Sequence, residues 1–330
     1  FSLPSRNTGL KKEKEERVLN TIFTVGNGYI GIRGRLEEIP EVEPQGIYVA
    51  GVYDMVLRPD RPRKLITPFE KHYGYRWKPN EIDIEPSLLN LPNFLWMRIW
   101  IGDEPIQFTP DSLLRLVRTL DMKRGIFSYE AEWKDSKGRI TLLRMERFSS
   151  MSSIHDQYVR YQITPINYSG KIRILSGIDG KVQSILYNQR MFTVLEGGEI
   201  LENDGYMVVM GKSLGIGVGI GIINNLNLKG RWEFEKDEER VWNWQEIEVE
   251  KGQTCVFEKV IGVFTTRDGE SSLKDRIKKW RQEKKDTHFE IALEDQQRTW
   301  KRLWEDSDIV IEGDEFAQRA IRFCMYHLLI

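Results

Sequence analysis

Three stretches place residues at spacings that chemistry uses. Gly26-Asn27-Gly28-Tyr29-Ile30-Gly31 fits G-x-G-x-x-G, the pattern that lets a backbone approach a dinucleotide pyrophosphate. A strand-like run, Thr21 to Val25, precedes it, and Asp54 falls near where a ribose-binding acid would stand. The fingerprint needs a helix directly after the glycines, because the helix N-terminus holds the pyrophosphate. Gly34 and Pro40 leave too little room for one, so a turn between β-strands is expected. Gly211-Lys212-Ser213-Leu214-Gly215 fits G-x-S-x-G, which exposes a serine nucleophile only at a strand–turn–helix elbow. Here a period-2 strand follows Ser213. Gly205 with Gly211-Lys212-Ser213 misses a phosphate loop, since five bulky residues intervene where four are needed.

His72, His155, His288 and His327 show no H-E-x-x-H or other metal-ligand spacing. Carboxylates are plentiful, and none stands out as half of an acid/base pair. Ten tryptophans remain. Trp242 and Trp244 share one face of a strand, and Trp96 and Trp100 flank Arg98. Such rings stack on sugars and also fill cores, and core packing is the expectation. No catalytic, cofactor-binding or metal-ligating residue is assigned in this chain, and its substrate-binding residues stay unassigned.

The elements that would position such groups are mostly strands. From about Thr21 to Phe264 the chain reads as β. Phe127, Tyr129, Ala131 and Trp133 alternate with Ser128, Glu130 and Glu132, as in a half-buried strand. Turn signals recur at Ser136-Lys137-Gly138, Asn167-Tyr168-Ser169-Gly170 and Asp179-Gly180. Gly197-Gly198 and Asp204-Gly205 each read as hairpin turns. Leu214 to Ile222 alternates aliphatics with Gly215, Gly217, Gly219 and Gly221, leaving one face without side chains. Close packing is expected there, with a sugar or a partner backbone as the sharper reading.

After Asp268-Gly269 the period becomes helical. Ser272 and Asp275 resemble a capping box, followed by Leu273, Ile277 and Trp280 on one face. Phe289, Leu293, Trp300 and Trp304 form a second stripe. Asp314 caps a third helix whose apolar face is read as Ala317, Ile321, Cys324 and Leu328. The lysines and arginines from Lys274 to Lys285 read as a solvated helix face, and the basic Arg58 to Lys64 segment as a solvated loop.

Composition narrows the function classes. In 330 residues, 49 basic and 50 acidic side chains give a net charge of -1, so no whole-molecule field draws nucleic acid or an anionic membrane. No apolar run reaches the length of a membrane span, and no signal peptide is seen. Two distant cysteines, Cys255 and Cys324, argue against a disulfide framework or a thiolate zinc site. They fit a reducing, cytoplasmic location. The chain starts at Phe1 rather than Met and stops at Ile330 within an apolar helix, which predicts a truncated piece.

Taken in order, several segments resemble glycoside hydrolase family 65, the α-glucoside phosphorylases. Phe23-Thr24-Val25-Gly26-Asn27-Gly28-Tyr29-Ile30-Gly31-Ile32-Arg33-Gly34 looks like the family's opening signature. Glu37-Glu38 follows, then Tyr48 to Asp54, Leu91-Pro92-Asn93, Leu120 to Gly125 and Glu146 to Ser150. Thr164 to Gly170 and Ser176 to Gly180 continue the series, and Gln318 to Leu329 resembles the family's first barrel helix.

The resemblance implies a mainly β fold: a large antiparallel β-sandwich over 1–268, a helical linker over 269–308, and the start of a truncated (α/α)6 barrel over 309–330. It implies an inverting phosphorylase of the glycosyltransferase type. Such an enzyme uses inorganic phosphate as co-substrate and no cofactor, and yields β-glucose 1-phosphate and glucose from a disaccharide, kojibiose being favoured. The catalytic glutamate of the family lies in the barrel, so this chain alone is expected to be inactive. Its expected partners are its own barrel and a second copy in a homodimer. An autonomous carbohydrate-binding module and an acid-trehalase-like hydrolase stay open as alternatives.

Overall fold

The computed structural model describes residues 2–5, 13–39, 45–58, 83–185 and 189–330. His72 and most of the basic Arg58 to Lys64 loop lie outside them. Among the described residues the strands are β1 (Ser2–Ser5), β2 (Val25–Gly26), β3 (Ile30–Ile32), β4 (Ile47–Val49), β5 (Tyr53–Arg58), β6 (Asp83–Leu88), β7 (Met97–Ile101), β8 (Glu104–Pro105), β9 (Leu113–Asp121) and β10 (Ile126–Lys134). They continue as β11 (Ile140–Ser149), β12 (Asp156–Pro165), β13 (Gly170–Asp179), β14 (Phe192–Gly198), β15 (Asp204–Gly211), β16 (Gly217–Leu226), β17 (Glu233–Lys236), β18 (Arg240–Val249) and β19 (Cys255–Thr265). The helices are α1 (Glu13–Ile22), α2 (Leu273–Lys284), α3 (Phe289–Ser307) and α4 (Glu315–Leu329).

The protein is mainly β, with two small antiparallel sheets, β2-β3-β4 and β5-β6, and two large ones among the described residues. The larger has the order β1-β9-β10-β11-β12-β19-β16-β15-β14, the smaller β17-β18-β13-β7-β8. Their inner faces form one core that includes Phe127, Trp133, Ile172, Ile174 and Phe257, all under 2 % exposed. Period-2 burial makes this possible, since Ile172 and Ile174 point inward while Lys171 and Arg173 face solvent.

Two turn expectations change. Gly197-Gly198 ends β14 and Asp204-Gly205 begins β15, so they flank a single hairpin turn over 199–203. Asp204 closes that turn by accepting the N–H groups of Ile200 and Leu201, a bond the Asp-Gly pattern does not reveal. The glycine-alternating strand starts at Gly217, because Lys212 to Gly215 form a turn in which Gly215 has φ +67°. Thr21 and Ile22, read as strand-like, close α1 instead.

The side-chain-free face is covered by α2. A Cβ on Gly221 would lie 2.7 Å from Ile277 and 2.9 Å from Trp280. Gly262, its register partner on β19, would meet Trp280 at 2.5 Å. Two glycines side by side thus make a socket for one indole, and no room is left for a sugar. The Ser272 hydroxyl caps α2 by accepting from the Asp275 N–H at 3.2 Å. Two buried carboxylates pin the helix. Asp156 accepts from the Trp280 Nε1–H at 2.8 Å and pairs with Lys284 at 2.5 Å, and Asp204 pairs with Arg281 at 2.8 Å.

Helix α3 buries Phe289, Leu293, Trp300 and Trp304 as its stripe predicts. It also buries Gln296, whose amide donates to the carbonyls of Arg124 and Ser149 and accepts from the Met151 N–H. Helix α4 is capped by Asp314 as expected, but it seats a different face. Tyr326 is its one buried residue, with Phe323, Leu329 and Ile330 partly buried on the core. Cys324 is exposed and Leu328 is 85 % exposed. Apolar residues occur all round this helix, so periodicity alone does not select the face that Trp300 receives.

Candidate functional site

The G-x-G-x-x-G segment is the turn between β2 and β3, with Gly28 at φ +79° and no helix after it. Asn27 holds it in place. Its side-chain amide donates to the carbonyls of Ser150 at 2.7 Å and Ile154 at 2.9 Å. Its Oδ1 accepts from the N–H groups of Tyr29 and Ile30. The Tyr29 hydroxyl donates to Asp268 at 2.7 Å, and burial, then that carboxylate, push the phenol well above its ordinary range. These groups tie the turn to the sandwich.

The acid of that same pattern meets the second chemical pattern. Asp54 is 1 % exposed. Its carboxylate accepts from the N–H groups of Lys212 at 2.6 Å, Ser213 at 2.9 Å and Leu214 at 3.0 Å. The would-be ribose acid therefore fills the nest of the would-be nucleophile turn, and neither faces a ligand.

The histidines stay apart in role. His155 lies edge-on to Tyr29 with ring centroids 4.6 Å apart, and His288 precedes α3 without a side-chain cap bond. His327 packs on Phe323, and burial lowers its pKa. Among the described residues no three His, Cys, Asp or Glu side chains gather as a metal site. Trp133, Trp280, Trp300 and Trp304 fill the interior. Trp100, Trp242 and Trp244 are half-buried on the outer face of the smaller sheet.

Two features collect functional groups. At the seam of the sandwich and α4, a cleft of about 490 Å³ is lined by Thr24, Tyr29, Tyr48, Tyr53, Leu88 and His327 among others. It is uncharged at neutral pH and rich in hydroxyls, suited to holding neutral polar groups rather than anions.

Inside the core, Glu37, Glu38, Arg147 and Lys259 are all buried. Lys259 crosses from β19 to the other sheet and donates to the Gly177 carbonyl at 2.9 Å. Burial, opposed by Glu37, pushes its amine down to about 7. Burial raises Glu38 and lowers Arg147 to about 10. The sequence carries one sign of this cluster: Lys259 stands between Phe257 and Ile261 on the core side of the alternation.

The Lys259 amine predicts a pH dependence. Between about pH 7 and its ordinary 10.5, the unfolded chain holds a proton that the folded chain has released. Stability should therefore rise with pH across that window by up to ~1.4 kcal/mol per unit, and carry the full cost below it. Lys259→Met should flatten that slope in urea melts from pH 7 to 9.5. Equal slopes in both proteins would rule the assignment out.

The family described as "Glycosyl hydrolase family 65, N-terminal domain" matches residues 6–303. The chain belongs to glycosyl hydrolase family 65. Curated family 65 relatives include a kojibiose phosphorylase of Caldanaerobacter subterraneus subsp. tengcongensis, 30 % identical over 94 % of this chain and 39 % of its own length. A 3-O-alpha-D-glucosyl-L-rhamnose phosphorylase of Lachnoclostridium phytofermentans is 31 % identical over 94 % of this chain and 41 % of its own. A solved kojibiose phosphorylase candidate from the human microbiome has the same fold, at TM-score 0.84 and 17 % identity, covering 100 % of this chain and 41 % of that one. The family 65 chain thus spans about 40 % of the length of the curated relatives it matches. The stretch Phe23 to Gly34 serves the junction of sandwich and helices. Tyr326 of α4 donates to the Thr24 carbonyl at 3.1 Å, and Ile330 lies against Gly26. No helix among the described residues is long and apolar enough to cross a membrane.

Proposed function

We propose that the chain is the N-terminal part of an inverting disaccharide phosphorylase. Residues 1–268 form its sandwich domain, 269–308 a helical linker, and 309–330 open an (α/α)6 catalytic barrel. The full-length enzyme is a cytoplasmic glycosyltransferase-type phosphorylase, with inorganic phosphate as co-substrate and kojibiose as the first substrate to test. A phosphate oxygen bonds to the anomeric carbon as the bond to the leaving sugar oxygen breaks. A glutamic acid of the barrel protonates that oxygen. The products are β-glucose 1-phosphate and glucose.

The observation that carries this reading is the match to kojibiose, trehalose and glucosyl-rhamnose phosphorylases along 94 % of the chain. It is supported by the inward use of Asn27, Asp54 and Glu37, which leaves the sandwich a structural role beside the barrel, with a homodimer as a further partner. The full-length protein incubated with kojibiose and phosphate should release β-glucose 1-phosphate, and the 330-residue chain should release none. Glucose formed without phosphate would instead mark a hydrolase of the acid-trehalase kind, and turnover by the chain alone would overturn the assignment of chemistry to the barrel.

A further inference from the structure

A cleft of about 790 Å³ opens between the 199–203 turn and the segment leading into β17. Glu199 and Glu202 line it on one side, and Arg231, Trp232, Glu233 and Phe234 on the other. Its volume lies in the range that takes a small ligand. Trp232 and Phe234 are half-buried, and Trp232 packs on Phe257 with centroids 6.1 Å apart. A second observation stands beside it. Gln245 of β18 is 2 % exposed, and its Nε2 has no partner among the described residues. That nitrogen lies 1.9 Å from where a Cβ on Gly230 would be, next to the cleft wall. Asn243, fully buried and paired in register with Phe234, keeps its Nδ2 unpartnered as well. Buried amide donors left without acceptors are costly, and an ordered water behind the cleft wall would satisfy them.

We propose that this cleft binds a neutral sugar, a glucose unit or a glucosyl disaccharide. Indole and phenyl faces match the C–H faces of a pyranose. Carboxylates and a guanidinium supply charge-assisted bonds to its hydroxyls. Three glutamates against one arginine turn away phosphate and sugar phosphates. The carboxylates do not converge into a metal site among the described residues. Partial burial, then the neighbouring Asp204 and Glu202, raise the Glu199 carboxyl.

The test is titration of the isotope-labelled chain with glucose, kojibiose and maltose, followed at the Trp232 indole N–H. Saturable shifts at about millimolar concentration are expected, roughly tenfold weaker with glucose 1-phosphate. Glu202→Ala and Trp232→Ala should each weaken binding by about fivefold or more. Trp232 also supports the core, so Glu202→Ala, on an exposed side chain, separates lost binding from lost fold. No shift up to about 50 mM sugar, some tenfold or more above a millimolar constant, would overturn the proposal. Sugar binding untouched by Glu202→Ala, or shifts with calcium or spermidine in place of sugar, would overturn it too. The readout is binding to this chain and not turnover, so it stands or falls separately from the phosphorylase reading.

Discussion

Trp300→Ala should cost about 3–5 kcal/mol and free α4 from the sandwich. The indole is fully buried and stacks on Tyr326 at 5.3 Å and on Trp304 at 6.1 Å. Its edge lies over Gly125, where an added Cβ would sit 2.2 Å from Nε1. Truncation therefore opens a cavity walled by a loop, α3 and α4, and these cannot close it together. Tyr326, the one buried residue of α4, loses its stacking partner. Denaturant melts should show the lower stability, and amide exchange over 315–329 should accelerate more than over β10 or β12. A loss under about 1 kcal/mol would mean that α4 is held by its other contacts.

Asp156→Ala should cost about 2–4 kcal/mol, because it leaves a half-buried cation and a buried indole N–H without their acceptor. Asp156 is 1 % exposed and serves Trp280 and Lys284 together. Because Asp156 itself is buried, the loss should change less between low and high salt than for a surface pair. Adding Lys284→Met to the variant should recover part of the loss, since the stranded charge is then gone. If the double variant is as unstable as the sum of both single changes, Asp156 and Lys284 act independently and the pairing is wrong.

The helices after residue 268 were legible because burial on one side writes its own period. Leu273, Ile277 and Trp280 recur at helical spacing, and all three are buried. The sandwich was legible for the same reason at period 2. The failures share a cause too. Which face of α4 is buried depends on Trp300 and Tyr326 meeting from distant positions, and Phe316, Ile321, Phe323 and Leu328 give no local preference. The hairpin turn over 199–203 depends on the Asp204 carboxylate reaching back to Ile200 and Leu201. All three false chemical patterns were dismissed on local context. That Asp54 and the Lys212 to Leu214 turn are each other's partners lies about 158 residues apart in the chain and has no local sign.

The strand from Gly217 to Leu226 raises a problem of registration. A stretch whose one face is glycine alone, here Gly217 to Gly221, specifies its alignment weakly, and a slip by two residues keeps its inward aliphatics inward. Helix α2 removes that freedom. The next residue on the glycine face is Ile223. A two-residue slip would bring its branched side chain into the socket that Gly221 and Gly262 leave for Trp280. The helix thus blocks that slip of β16 against β19. A segment that comes after the sandwich in the chain acts as a stop against one misalignment of its most ambiguous strand.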